Sequence, residues 1–340
     1  MEEEMLALEH NDTWVLMELP ENKRLLGGNG FSQRSDDVGI QSLKNFLASK
    51  FHTKDLGTLR YFLGVEVSRS KKGIFLSQRK YVLTEMSLSE AKPCDTSMVP
   101  NVRLNAEDEE MFGDPERYRR IVGKLNYLTI ARPDIAVSVS VVSQFMSSLR
   151  TSYWDAVFHI LKYLKEAPGR GILYSDHGHN KVEGFSYADW AGSSVDRQSV
   201  TRFCVFVGGN LISWKSNKQP VVARSSAESE YRVMAQVTCE LIWTRHLLRE
   251  IGFGDPRTMD LWSDNQVAIH IANNPVFHER TKHIVVNCHF VREKLEQKLI
   301  ATNHVRPGEQ LVGIFTKSLV GKRVTYICNK LGMIDIYAPA

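Results

Sequence analysis

Phe185-Ser-Tyr-Ala-Asp-Trp-Ala-Gly192 is a short strand pattern that runs into a turn, and the fold of the chain is read outward from it. A strand is expected over 182–188, with Asp189 entering the Trp190-Ala191-Gly192 turn. Residues two apart on a strand share a face, so Tyr187 and Asp189 point the same way for as long as the strand lasts. Further strands are expected at 200–207, 210–215, 258–263 and 300–305. The longest helical pattern lies between 210–215 and 258–263. It runs from Ala227 to about Ile251, with Tyr231, Met234, Thr238, Leu241 and Leu248 along one face. Strands first, then a helix, a strand and more helices, is an α/β order.

Upstream the pattern differs. Tyr118–Leu128, Pro133–Met146 and Trp154–Leu164 form a helical block, broken at Arg132-Pro133 and at Pro168-Gly169. Before it, Tyr61–Val67 and Ile74–Ser77 read as two strands of a hairpin turning through Lys71-Lys72-Gly73. Lys92–Asp114 is polar and proline-bearing and is expected to be an extended linker. Ile40, Leu43, Phe46, Leu47 and Phe51 keep helical spacing, whereas Leu26–Asp37 is rich in glycine and polar residues and reads as a seam. Met5 and Leu8 suggest a short helix and Thr13–Met17 a strand.

Composition narrows the class. At 340 residues there is room for two domains, and 43% apolar with 24% charged residues is ordinary for a globular protein. The net charge of +4 is compatible with nucleic-acid binding but too mild to argue for it. Five cysteines are scattered without a CxxC pair, which points to a reducing compartment and no disulfide framework. The acidic Met1-Glu-Glu-Glu-Met5 is not a signal peptide, and no run of about 18 apolar residues occurs. An intracellular protein without a membrane span is expected. Cytoplasm or nucleus stays open, as does the oligomeric state.

Several motifs follow one another in a telling order: Trp214-Lys-Ser216, Ala223-Arg-Ser-Ser-Ala-Glu228, Asp264-Asn-Gln266 and His278-Glu-Arg-Thr-Lys-His-Ile284. With Phe185–Gly192 they make residues 183–333 resemble the ribonuclease H domain of copia-type LTR retrotransposon Pol polyproteins. That family opens on Tyr-Ser-Asp-Ala-Asp-Trp-Ala-Gly. The resemblance implies an α/β fold, an RNase H-like mixed five-stranded sheet with flanking helices. It also implies Mg²⁺ as cofactor and an RNA–DNA hybrid, or another nucleic acid, as partner.

RNase H chemistry is a two-metal hydrolysis, with ions about 3.5–4 Å apart held by several converging carboxylates. The resemblance implies four such positions, and this chain retains two. Glu230 matches the helix glutamate and Asp264 the aspartate after a strand, so both are candidate catalytic and metal-binding residues. The first aspartate is replaced by Tyr187. The fourth, in the family pattern Gln-Leu-Ala-Asp-Ile-Phe-Thr-Lys, is replaced by Gly313 within Gln310–Lys317. A phenol cannot bridge two Mg²⁺ ions and glycine has no side chain, so binding is expected to be weak or absent. Asp189 is the one substitute to weigh, against its place at the entry to the turn.

Taken alone, Glu230 would be a solvated helix carboxylate and Asp264 a helix N-cap; only the flanking motifs lift them above that. Lys215, Lys218 and Arg224 precede the Glu230 helix and Lys282 lies in the Thr-Lys-His block, so all four are candidate nucleic-acid contacts. Trp190, Trp214 and Trp243 are expected in the core, and His283, Cys288 and His289 lack a second pair for zinc.

Residues 1–27, 36–115 and 116–180 resemble, in turn, the opening of a copia-type reverse transcriptase, part of its palm and its helical connection. The ribonuclease H-like part is assigned to 181–333. Between 27 and 36 the family carries the fingers, most of the palm and the Tyr-x-Asp-Asp hairpin. Ser35-Asp36-Asp37 does not replace that hairpin, because Gln33-Arg34-Ser35 is not an apolar strand. Three expectations follow: no polymerase centre, a hairpin at 61–77 left as an exposed edge with the first 115 residues poorly packed, and an independently folding RNase H-like part.

Overall fold

The computed structural model describes residues 59–62, 64–78, 92–98, 110–146, 149–192, 196–274, 285–315 and 321–337, with the single positions 41, 45 and 49. The expectations for 1–37, for most of 39–51 and for Lys282 and His283 lie outside the described residues. No helix among the described residues is long and apolar enough to cross a membrane.

Among the described residues, two five-stranded sheets organise the fold. The first contains β1 (Tyr61–Phe62), β2 (Val65–Ser70), β3 (Gly73–Ser77), β4 (Arg170–Tyr174) and β10 (Met333–Asp335), all antiparallel and in that spatial order. The second runs β7 (Asn210–Lys218), β6 (Val200–Val207), β5 (Val182–Asp189), β8 (Met259–Ser263) and β9 (Ile300–His304). Here β5, β6 and β7 are antiparallel neighbours, while β5, β8 and β9 are parallel. This is the mixed sheet expected of the RNase H-like class.

The hairpin between β2 and β3 turns at Gly73, whose φ of +138° suits only glycine. A Cβ there would lie 1.9 Å from the Tyr174 carbonyl oxygen. On its β3 side this hairpin is covered, whereas on its β2 side only Val65 and Glu66 pair with β1. β3 pairs with β4 from Ile74↔Tyr174 to Leu76↔Ile172, and β10 pairs on the far side of β4. Phe75, Ser77 and Gln78 are buried as a result. The expectation of an exposed edge is therefore corrected on the β3 side, where a strand from beyond the helical block supplies the partner, whereas Ser68–Ser70 on the β2 side stay exposed.

The helices are α1 (Pro115–Leu128), α2 (Ala136–Ser143), α3 (Thr151–Glu166), α4 (Ser226–Glu250), α5 (Gln266–Asn273), α6 (Val285–Glu296) and α7 (Gly321–Lys330). Asp114 caps α1 by accepting from the Arg117 N–H at 3.0 Å, with Pro115 in the first turn. Pro133–Ile135 forms a 3-10 turn, so the helix expected from Pro133 begins only at Ala136. Ser225 caps α4 by accepting from Glu228 N–H at 3.1 Å, and Glu228 returns a carboxylate oxygen to Arg224 N–H at 2.8 Å.

Period-two alternation sends the two faces of β6 into two cores. Phe203, Val205 and Val207 pack with Tyr231, Met234 and Leu241 of α4. Cys204 and Phe206 pack with Leu211, with Tyr118, Val122 and Ile160 of the helical block, and with Ile327 of α7. The second core thus joins both sheets. The ribonuclease H-like sheet buries one face against the helical block.

Trp190 and Trp243 are 50% and 57% exposed, against the expected core placement, while Trp214 is half-buried against the helical block.

Candidate active site

The site lies where β5 outruns its parallel neighbour. The β5–β8 register ends at Ser186↔Ser263, and β5 continues through Tyr187, Ala188 and Asp189. The carboxyl ends of parallel strands, next to the point where strand order reverses, form the usual crevice of an α/β sheet. Glu230, one turn into α4, reaches across this end.

Glu230 is buried, and its carboxylate already has three donors. Oε1 accepts from the hydroxyls of Ser186 at 2.7 Å and Ser263 at 3.0 Å, and Oε2 accepts from Ala188 N–H at 2.5 Å. Burial pushes its pKa from 4.5 up to about 7; nearby Asp264 adds to the rise, and the three hydrogen bonds oppose it. Asp264 follows β8 and is also shifted upward by burial, against its own backbone N–H and the charge of His304. It is not the cap of the next helix. Asn265 caps α5 by accepting from Ala268 N–H at 2.9 Å.

Tyr187 and Asp189 share the opposite face of β5 with Arg202 of β6, which stands directly across from Tyr187. Arg202 Nη1 donates to Asp189 Oδ2 at 3.2 Å, with side-chain exposures of 7% and 34%. Asp189 therefore already has a cationic partner. Burial raises the pKa of the Tyr187 phenol, and Asp189 and Asp264 raise it further.

The fourth position completes the arrangement. Leu311–Phe315 forms a 3-10 turn containing Gly313, and Gln310 beside it donates from Nε2 to the Ser186 carbonyl at 2.9 Å. The nearest foreign atom to a Cβ at Gly313 would be Ile327 Cδ1 at 3.5 Å, an ordinary contact. The fold thus gathers Tyr187, Glu230, Asp264 and Gly313 around the end of β5, with Asp189 beside them.

This donor set does not fit a pair of Mg²⁺ ions, which require several free oxygen ligands. Both oxygens of Glu230 are engaged, Asp189 faces a guanidinium, and positions 187 and 313 offer a phenol and no side chain. Among the described residues no group of three His, Cys, Asp or Glu side chains could hold a metal ion.

Lys215 is exposed, and with Lys218, Trp214, Asn126, Ser140 and Gln144 it lines a polar groove of about 490 Å³ between β7 and the helical block. Lys218 is paired with Asp196 at 3.1 Å. Arg224 is exposed at the start of α4, outside that groove, and Trp190 is held beside it by an Nε1–H bond to the Ala223 carbonyl at 3.0 Å. Cys288 is buried in the core under α4.

Ser186 and Gln310 stand inside the quoted motifs without a role of their own, and Ser263 and Arg202 lie outside them. Arg202 carried a signal, a charge directly ahead of the apolar run Phe203–Val207.

A five-stranded mixed sheet with a carboxylate-bearing helix across the end of its central strand defines a ribonuclease H-like protein, here fused to a reverse-transcriptase-like region. The chain is 34% identical over 335 residues to the retrovirus-related Pol polyprotein from transposon RE1 of Arabidopsis thaliana, covering 98% of this chain and 22% of that one. It is 35% identical over 305 residues to the corresponding polyprotein from transposon RE2 of the same plant. It is thus a homologue of copia-type retrotransposon Pol polyproteins, and it spans about a fifth of their length. Among solved structures, RNase H1 from Halobacterium salinarum is similar at 11% identity and a TM-score of 0.28, covering 40% of this chain and 94% of that one. No family profile matches the chain.

Proposed function

We propose that this reverse transcriptase/RNase H-related region is a degenerate Pol remnant that does not cleave RNA–DNA hybrids. The observation that carries the reading is the donor set at the end of β5: both oxygens of Glu230 already accept internal hydrogen bonds, and its neighbours are Tyr187 and Gly313 where ligands would be needed. With the metals, hydrolysis would have an activated water and a stabilised leaving oxygen. Without them, Glu230 is a buried acid that hydrogen-bonds two serines, and no group here activates water. A polymerase centre is not proposed, for want of the Tyr-x-Asp-Asp hairpin in the sequence.

The test is incubation of the full chain with a labelled RNA–DNA hybrid in Mg²⁺ and in Mn²⁺. Silence is expected. Metal-dependent cleavage that disappears in Glu230→Gln would overturn the reading.

A second role has its own support in the groove lined by Lys215 and Lys218. Lysines beside hydroxyl and amide side chains suit a phosphate backbone. The region is proposed to bind hybrid without cutting it, with affinity falling as salt rises. Undetectable or salt-insensitive binding would remove this role.

A further inference from the structure

One buried charged group serves neither the candidate chemistry nor the apolar core. Arg202 lies in the middle of the second sheet, where the rest of β6 from Phe203 to Val207 is apolar and buried. Its register partner on β5 is Tyr187, and directly opposed residues of an antiparallel pair share a face. Its guanidinium holds Asp189 through Nη1, while its Nε, also buried, has no hydrogen-bond partner. A buried donor without an acceptor is costly and rare, so Arg202 has room for one more oxygen on this face.

We infer that Arg202 is a built-in cation that takes the place of the metal at the end of β5, so that the lesion at Tyr187 is only half of what excludes the ion. The guanidinium is permanently charged and matches carboxylates with a planar fork of donors. It has already claimed Asp189. A carboxylate restored opposite it would find the free Nε–H first and become the second arm of an ion pair. A divalent cation would have to approach a like charge that the sheet holds in place, with the Arg202 side chain only 7% exposed. The inference extends the proposed loss of metal binding from the missing ligands to a residue that is present and opposes the ion.

The experiment compares Mn²⁺ binding by calorimetry in four full-length proteins: the parent, Tyr187→Asp/Gly313→Asp, and that pair with either Arg202→Gln or Arg202→Lys added. The expected result is no gain for the paired substitution or for the lysine triple, and binding at least about tenfold tighter for the glutamine triple. Equal binding by the pair and the glutamine triple would overturn the inference, and so would a glutamine triple that gains nothing. A gentler variant reads the same point without removing the arginine. In Tyr187→Asp alone, the Arg202 Nε–H resonance should exchange with solvent at least about tenfold more slowly than in the parent. Unchanged exchange would count equally against the inference. Hybrid cleavage by the unaltered chain bears only on the proposed inactivity, because these comparisons read metal binding and hydrogen bonding among variants.

Discussion

Two buried clusters in this molecule use the same side-chain types and reach opposite electrostatic outcomes. In the helical block, Asp134 accepts from Arg132 Nε at 2.9 Å, from Arg132 Nη2 at 2.8 Å and from the Tyr163 hydroxyl at 2.7 Å. Arg170 closes the group with a 2.7 Å bond to that hydroxyl. Burial would raise the Asp134 pKa, but the charge and hydrogen bonds of Arg132, with Arg170 behind it, hold it below the ordinary value. At the end of β5, Glu230 is just as buried but meets neutral hydroxyls and a backbone N–H, and its pKa climbs to about 7. The arginine nearby is spent on Asp189. A buried carboxylate stays ionised when a full charge pays its desolvation, and neutral donors alone do not suffice.

The sharpest way to break the comparison is Asp134→Asn. It leaves Arg132 buried without its counter-charge, and the loss of stability should be about 3–5 kcal/mol in urea denaturation. A loss under about 1 kcal/mol would mean that the first cluster is no more committed than the second.

Next in size is the pH dependence of Glu230. Its folded pKa is raised, so the folded state binds the proton more tightly than the unfolded state. The associated stability is complete below about 4.5 and disappears as pH rises through about 7. Relative to Glu230→Gln, the parent should lose on the order of 3 kcal/mol across that window. Asp134 has the opposite sign: its contribution is present above the unfolded carboxyl pKa and is lost as pH falls through the lowered folded value. Parallel stability curves for parent and Glu230→Gln would contradict the difference between the clusters.

A smaller effect is expected from the Asp189–Arg202 pair, because the aspartate side chain is 34% exposed and solvent screens it. A double-mutant cycle with Asp189→Asn and Arg202→Gln should give a coupling of about 1 kcal/mol or less. The smallest change should come from Lys215→Gln. It should lower the salt slope of hybrid binding by about one unit without altering stability. Lys218→Gln should do less, since Lys218 is already held by Asp196.

Much of the architecture was legible. The strands expected at 182–188, 200–207 and 258–263 appear at Val182–Asp189, Val200–Val207 and Met259–Ser263, and the long helix at Ser226–Glu250. Alternation and helical spacing survive in a single chain because each records which face meets a core. β4 and β10 were not legible. Arg170-Gly-Ile-Leu-Tyr174 follows a proline–glycine break and Met333-Ile-Asp335 is three residues long, so neither carries a pattern of its own. β4 becomes a strand because β3 offers it an edge, and β4 in turn offers one to β10.

The sequence by itself determined the kinship, the order of elements and the two absent ligands at Tyr187 and Gly313, because each is a matter of which residue stands at which place. Only the tertiary structure decided what the remaining groups do. Glu230 turns inward to Ser186 and Ser263, Asp189 is taken by Arg202, and the hairpin finds its partners nearly a hundred residues or more away. Those outcomes depend on distances between residues remote in the chain, and on how much water and charge each buried group retains.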